Sequence, residues 1–210
     1  MRTPRSWVAL EELGRVRLSR HFFMRDFLFS EIAAWHGRPN LPDDPELAIE
    51  AGRGLCEALL EPMAETFGPL ALRSGYRSTA LNDFGAGLRP QRMARSDRNR
   101  ASHIWDRRDK EGHLGACATV VVPWFADRYA AGRHWLDMAA WLAIHLPFHE
   151  AYFFPRLAAF NLTWREGGAQ RRVLSYVAPK GRWRHEAEEP ASLSSRCADF
   201  PPFRGLTYPE

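Results

Sequence analysis

Cysteine is scarce in this chain. Cys56, Cys117 and Cys197 stand far apart, and no Cys-x-x-Cys pair occurs. Such an odd, dispersed set fits a reducing compartment better than a disulfide framework, with each thiol serving as a small buried hydrophobe. Long apolar runs are missing too, since no stretch approaches the ~20 residues that a membrane-spanning helix needs. The opening segment, Met1 to Leu18, carries Arg2, Arg5, Arg15 and Arg17 and has no apolar run of the kind found in a secretory signal. Both absences lead to the expectation of a cytoplasmic protein without a membrane partner. Internal repeats and low-complexity tracts are absent as well.

What is present suffices for a core. The 210 residues are 45% hydrophobic, with eight Trp and 13 Phe, which suits one compact domain with some decoration. The net charge of +4 is mild, and by itself it implies no nucleic acid. That charge is local. Between Gly87 and Lys110, Arg89, Arg92, Arg95, Arg98, Arg100, Arg107, Arg108 and Lys110 oppose only Asp97, Asp106 and Asp109, eight against three for +5. The remainder is slightly acidic. Arginine forks attract carboxylates and phosphates, and no aromatic residue lies between Phe84 and Trp105 to stack a single-stranded base. The expected partner is a small anionic or peptide-like ligand, and nucleic acid is disfavoured.

Periodicity and punctuation give the coarse structure. The segment from Leu18 to about Trp35 opens with a Ser/His cap and continues as a helical run. Asp43-Asp44-Pro45 is a strong helix start, and apolar residues keep helical spacing from Leu47 to Met63 before Phe67-Gly68 stops them. Leu70–Leu72 reads as a short strand. Cys117–Val122 is β-branched and apolar, as a buried strand should be. A helix from about Arg133 to His145, ended by Pro147, precedes strands at Glu150–Phe154, Asn161–Arg165 and Arg172–Val177. From Lys180 on, Pro190, Pro201, Pro202 and Pro209 suggest an irregular tail. Helices first and strands later predict an α+β domain with a small, mostly antiparallel sheet flanked by N-terminal helices.

The chemistry-bearing residues form a series. Ser74-Gly75-Tyr76-Arg77-Ser78-Thr79-Ala80-Leu81-Asn82 is followed by Ser102-His103 and by Gly115-Ala116-Cys117-Ala118-Thr119. This series resembles the zinc D-Ala-D-Ala carboxypeptidases and their hedgehog-type relatives, over residues 18 to 180. Phe22-Phe23-Met24-Arg25-Asp26-Phe27 also resembles the family's opening signature. The resemblance divides the chain into an N-terminal extension (1–17), a carboxypeptidase-like domain (18–180) with an Arg-rich insertion (87–114), and a tail (181–210). It implies that Arg77 faces substrate, that His103 matches the first zinc ligand with Ser102 beside it, and that Asn82 belongs to the site. Gly75 is expected for backbone freedom and Tyr76 mainly as packing beside the ligand.

The chain departs from the family at the metal. Thr119 stands where the resemblance places an Asp ligand, and Val173 stands at the last His. Glu166 is the nearest candidate for the general base, and His113 is an alternative match to the family's His, one residue out of register. Catalytic zinc usually takes three protein ligands, and a neutral hydroxyl substitutes poorly for a carboxylate. The expectation is a diverged, peptidase-like protein without the ancestral zinc, and no cofactor is expected.

Two alternatives stand beside that reading. One is a metallopeptidase acting on D-amino-acid, peptidoglycan-type peptides, with zinc rebuilt on His103, Asp106 and His149, His113 or Glu150. The other is a partner-binding protein that catalyses nothing. Catalytic candidates are therefore His103, Arg77, Asp106 and Glu150, and substrate-binding candidates are Arg77, Tyr76, Asn82 and Ser102.

Overall fold

The computed structural model describes residues 2–88 and 99–205. Its first half is helical: α1 (Trp7–Gly14), α2 (Arg25–Leu28), α3 (Glu31–His36), α4 (Pro45–Leu55), a π-helical turn (Cys56–Leu60) and α5 (Glu61–Phe67). Then come β1 (Ala71–Ser74), α6 (Thr79–Gly87), β2 (Gly115–Val121), α7 (Pro123–Ala130) and α8 (Trp135–His145). Strands β3 (Glu150–Phe153), β4 (Phe160–Arg165), β5 (Arg172–Ser175) and β6 (Gly181–Trp183) precede a last helix, α9 (Pro190–Arg196). The strands make one open six-stranded sheet in the order β1-β2-β4-β3-β5-β6. Every neighbouring pair is antiparallel except β3 with β5. The fold is α+β with a mixed, mostly antiparallel sheet.

Side chains alternate across the strands, so register decides what each face carries. Ala116, Ala118 and Val120 of β2, Leu162 of β4, Ala151 and Phe153 of β3 and Val173 of β5 are buried in the main core. Their neighbours, Cys117, Thr119, Asn161, Thr163, Glu150, Tyr152 and Arg172, turn to the opposite face. Against the apolar side lies the α4–α5 run. Asp44 caps it by accepting hydrogen bonds from the Glu46 and Leu47 amides at 3.2 Å, and Pro45 sits in its first turn. A Cβ on Gly54 would lie 2.5 Å from the Trp164 ring, and one on Gly52 2.9 Å from Trp105. Small residues thus let this helix approach the sheet closely.

Several sequence expectations change. The helical run read from Leu18 to about Trp35 is broken, because the chain folds back on itself through an Arg17–Phe23 bridge and restarts helices at Arg25 and, under a Ser30 cap, at Glu31. The continuous helix ending at Phe67 contains the π turn. Its end is otherwise as read, with Gly68 in positive φ at +84°.

The C-terminal part is ordered into β6 and α9, where Pro190 starts a helix in its first turn. Phe200 inserts among Phe67, Trp124 and Phe125, and Arg133 holds Asp199 and the Arg196 carbonyl. Leu13 of α1 is fully buried in the same core. Of the arginine-rich segment, Arg89, Arg92, Arg95, Asp97 and Arg98 lie outside the described residues. No helix among the described residues is long and apolar enough to cross a membrane.

Candidate functional site

Strand β1 ends at Ser74 and delivers Gly75-Tyr76-Arg77 into a turn that is held from three sides. The Tyr76 amide donates to the Phe27 carbonyl at 3.0 Å, and the Arg77 amide to the His103 carbonyl at 2.8 Å. Asn40 closes the third side. Its Nδ2 donates to the Tyr76 and Leu28 carbonyls at 2.9 Å, and its Oδ1 accepts from the Ser78 amide at 2.8 Å. Ser78 then caps α6 through the Leu81 amide. Gly75 does not occupy positive φ among the residues that do. It is required for close approach, because a Cβ there would lie 2.8 Å from Phe27 Cβ and 3.0 Å from its Cα. Backbone freedom, the reason expected from sequence, is replaced by lack of space.

The segment 102–106 runs beside this turn, joined to it by the Arg77–His103 backbone bond, and sends successive side chains to different tasks. Trp105 is fully buried, packs on Phe27 and Tyr76, and donates from Nε1 to the Cys117 carbonyl at 3.2 Å. His103 is buried, and its Nδ1 is 3.0 Å from the Gly75 carbonyl. A carbonyl only accepts, so Nδ1 carries the proton and Nε2 presents its lone pair. Burial first, and the neighbouring Arg77 charge second, pull the His103 pKa down to about 4. The ring is neutral at physiological pH.

Arg77 is partly exposed, yet desolvation draws its pKa down to about 10. Among the described residues no carboxylate pairs with it. Cys117 is its other neighbour. Burial pushes that thiol up to about 12, with Thr163, Ser102 and Arg77 tempering the rise and Glu150 adding to it. A thiol held protonated is no nucleophile. The face opposite the core continues across the strands as Cys117 and Thr163, both buried, then Glu150 and Arg172 in one row, and Thr119, Asn161 and Tyr152 in the next. Thr119 Oγ1 bonds Asn161 Oδ1 at 2.7 Å, so the position of the family's Asp holds two neutral groups satisfying each other. Glu150 binds Arg172 through both Nε, at 2.7 Å, and Nη2.

Arg77, Ser102 and His103 are thus brought together at one edge of the polar sheet face, with Glu150 farther along the same face. The other candidates do not join them. Asp106 is fully buried and accepts from the Asp43 and Asp44 amides at 2.7 and 3.3 Å. It anchors the start of α4 and is absent from the metal-type cluster described below. Tyr76 is buried in the core, its hydroxyl 3.4 Å from the Leu41 carbonyl. Asn82 is buried and accepts from Asn99 Nδ2.

Val173 faces the core beside Ala151, so β5 offers the open face Arg172 and Leu174 instead. Glu166 accepts from the Leu114 amide and Arg108 at 3.0 and 2.9 Å, bonds that hold its carboxyl below the usual range and clamp a hairpin end. His113 and His149 share a separate cavity of about 390 Å³ with Asp109 and Arg165. Among the described residues, the one group of three or more His, Cys, Asp or Glu near enough to hold a metal is His21, Glu61 and Glu65, and it includes none of these candidates.

Asn40 is the site residue that sequence reasoning missed. It stands 37 positions from Arg77 without any motif, and only its contacts betray it.

Compared with protein-family models, curated proteins and solved structures, the chain gives no match. Function therefore has to be inferred from the site itself.

Proposed function

We propose that the Arg77 edge of the polar sheet face binds the carboxylate of a small peptide-like ligand, in a diverged relative of the D-Ala-D-Ala carboxypeptidases that has lost the ancestral zinc chemistry. The observation that carries this reading is Arg77 itself. A cation taken partly out of water, with no carboxylate partner among the described residues, is costly to hold, and a ligand carboxylate in its planar fork relieves that cost. His103 stands beside it as a neutral, buried ring whose Nε2 has no partner among the described residues and is left to accept a ligand N–H. Thr119 and Asn161, half-exposed farther along this face, keep the Asn161 amide N–H and a hydroxyl lone pair outside their mutual bond for a short extended chain. The half-exposed polar side chains of Thr119, Glu150 and Asn161 on this face favour ligand binding over a vestigial cleft filled by apolar side chains.

Hydrolysis is not part of the reading. Thr119 and Val173 supply no ligand, Cys117 is held as the thiol, and Asp106 is committed to the α4 terminus. The chemistry left to Arg77 and His103 is recognition.

The test is to titrate D-Ala-D-Ala and its L-Ala-L-Ala counterpart into wild type and Arg77→Ala, and to recover the peptide afterwards. Binding that Arg77→Ala abolishes, with the peptide returned intact, is the expected result. Equal binding by both proteins removes Arg77 from the site. Cleaved peptide removes the loss of hydrolysis.

A further inference from the structure

A second constellation lies at the opposite end of β1 from Arg77 and shares no residue with the cleft. There a cavity of about 620 Å³ is lined by Arg20, His21, Phe22, Asp26, Glu65 and Leu72 among others. His21 and Glu65 at its wall, and the buried Glu61 behind them, each offer one ligand atom, all within 4.8 Å of one another.

The way the chain builds this group is specific. Glu61 and Glu65 are one helical turn apart on α5 and share a face. The π turn at Cys56–Leu60 ends immediately before Glu61. Single π turns inside α-helices recur at functional sites, and here the turn accompanies a carboxylate with no solvent exposure. Buried carboxylates persist when they are paired or hold a metal. Glu61 is held by the Ser19 hydroxyl at 2.6 Å, the His21 amide at 2.7 Å and His21 Nδ1 at 2.7 Å. The His21 ring is half exposed toward the cavity side. Arg20 takes Oε1 of Glu65 at 3.0 Å and leaves the second oxygen.

We propose that His21, Glu61 and Glu65 form a mononuclear site for a divalent cation of the zinc class. One imidazole and two carboxylates are a ligand set that such a cation accepts. Three protein ligands leave a further position, which opens on the cavity and takes water or a small ligand. His21 belongs to the short loop Ser19–Phe22 and the glutamates to α5, so the cation also ties that loop to the helix.

The test uses the full chain, stripped with a chelator and titrated with Zn²⁺ against a chromophoric competitor, then with Co²⁺ to read its visible d–d bands. One equivalent is expected to bind. Affinity should fall by about tenfold or more in both His21→Gln and Glu65→Gln, the scale on which altering a metal site's shell is felt, and should be unchanged in His103→Asn and Arg77→Ala. Glu65 is partly exposed on α5 and its Gln variant keeps an acceptor for Arg20, so the fold is retained, which circular dichroism verifies. Failure of wild type to take up one equivalent overturns the proposal. So does stoichiometric uptake that neither substitution weakens. Loss of uptake in His103→Asn alone moves the metal to the Arg77 cleft and overturns it equally.

Discussion

Acidification should expose the burial of His103. In the folded protein its pKa lies at about 4, against 6.5 for the free side chain, because the ring is buried and the Arg77 charge stands beside it. Above pH 6.5 the ring is neutral in both folded and unfolded chains, and it contributes nothing to pH dependence. As the pH falls below 6.5, the unfolded chain takes up a proton that the folded protein refuses, so stability drops. The drop continues until the pH reaches about 4, where the folded state is protonated as well. The gap of about 2.5 pK units corresponds to about 3 kcal/mol lost over that window.

His103→Asn keeps a donor for the Gly75 carbonyl and removes the titration. Urea unfolding at steps from pH 7.5 to 4 should show wild type more stable at neutral pH, with its advantage over the variant shrinking by about 3 kcal/mol on acidification. Two curves that stay parallel would refute a buried, neutral His103.

Three further outcomes follow from the same geometry. Gly75→Ala forces a Cβ against Phe27 and should cost about 1–3 kcal/mol while weakening ligand binding, read by thermal unfolding and titration together. Asp106→Ala leaves the Asp43 and Asp44 amides without their acceptor and should destabilise by about 1–3 kcal/mol. Its ligand affinity should match wild type, because the carboxylate anchors α4. Cys117 should resist alkylation at pH 8 in the native protein and react once the chain is unfolded in urea, as mass spectrometry of tryptic peptides would reveal.

Much of the scaffold was legible in the sequence because the signals there were local. Asp43-Asp44-Pro45 announced α4, and the β-branched run at Cys117–Val122 announced β2. Pro147 fell just after α8. The misreadings arose where tertiary contacts decide. The Leu18–Trp35 pattern looks continuous on paper, yet the Arg17–Phe23 pairing and the Ser30 cap divide it. Helices α1, α6 and α7 are short, at 8, 9 and 8 residues, and α7 follows β2 directly with Pro123 in its first turn. The π turn leaves no trace in apolar spacing that a straight helix would not also leave.

At the site, the Ser74–Arg77 turn and Ser102-His103 were visible and do come together. Asp106, Tyr76 and Asn82 were also visible; Asp106 points to the α4 terminus, Tyr76 into the core and Asn82 to Asn99, a distinction set by which way a side chain points. Val173 shows the same limit, since one step of β register separates the core from the open face. The Glu61–Glu65 face with His21 went unread because its parts are 40 residues apart and the intervening fold brings them together.

On this reading Arg77 meets a ligand carboxylate. The most direct measurement is calorimetric titration of wild type with D-Ala-D-Ala as the free acid and as the C-terminal amide. A charge-assisted pair in a desolvated fork contributes about 1.5–3 kcal/mol, so the free acid should bind about 10- to 150-fold more tightly than the amide, and Arg77→Ala should erase the difference. Equal affinity for acid and amide, or a preference that survives the loss of Arg77, would contradict the account.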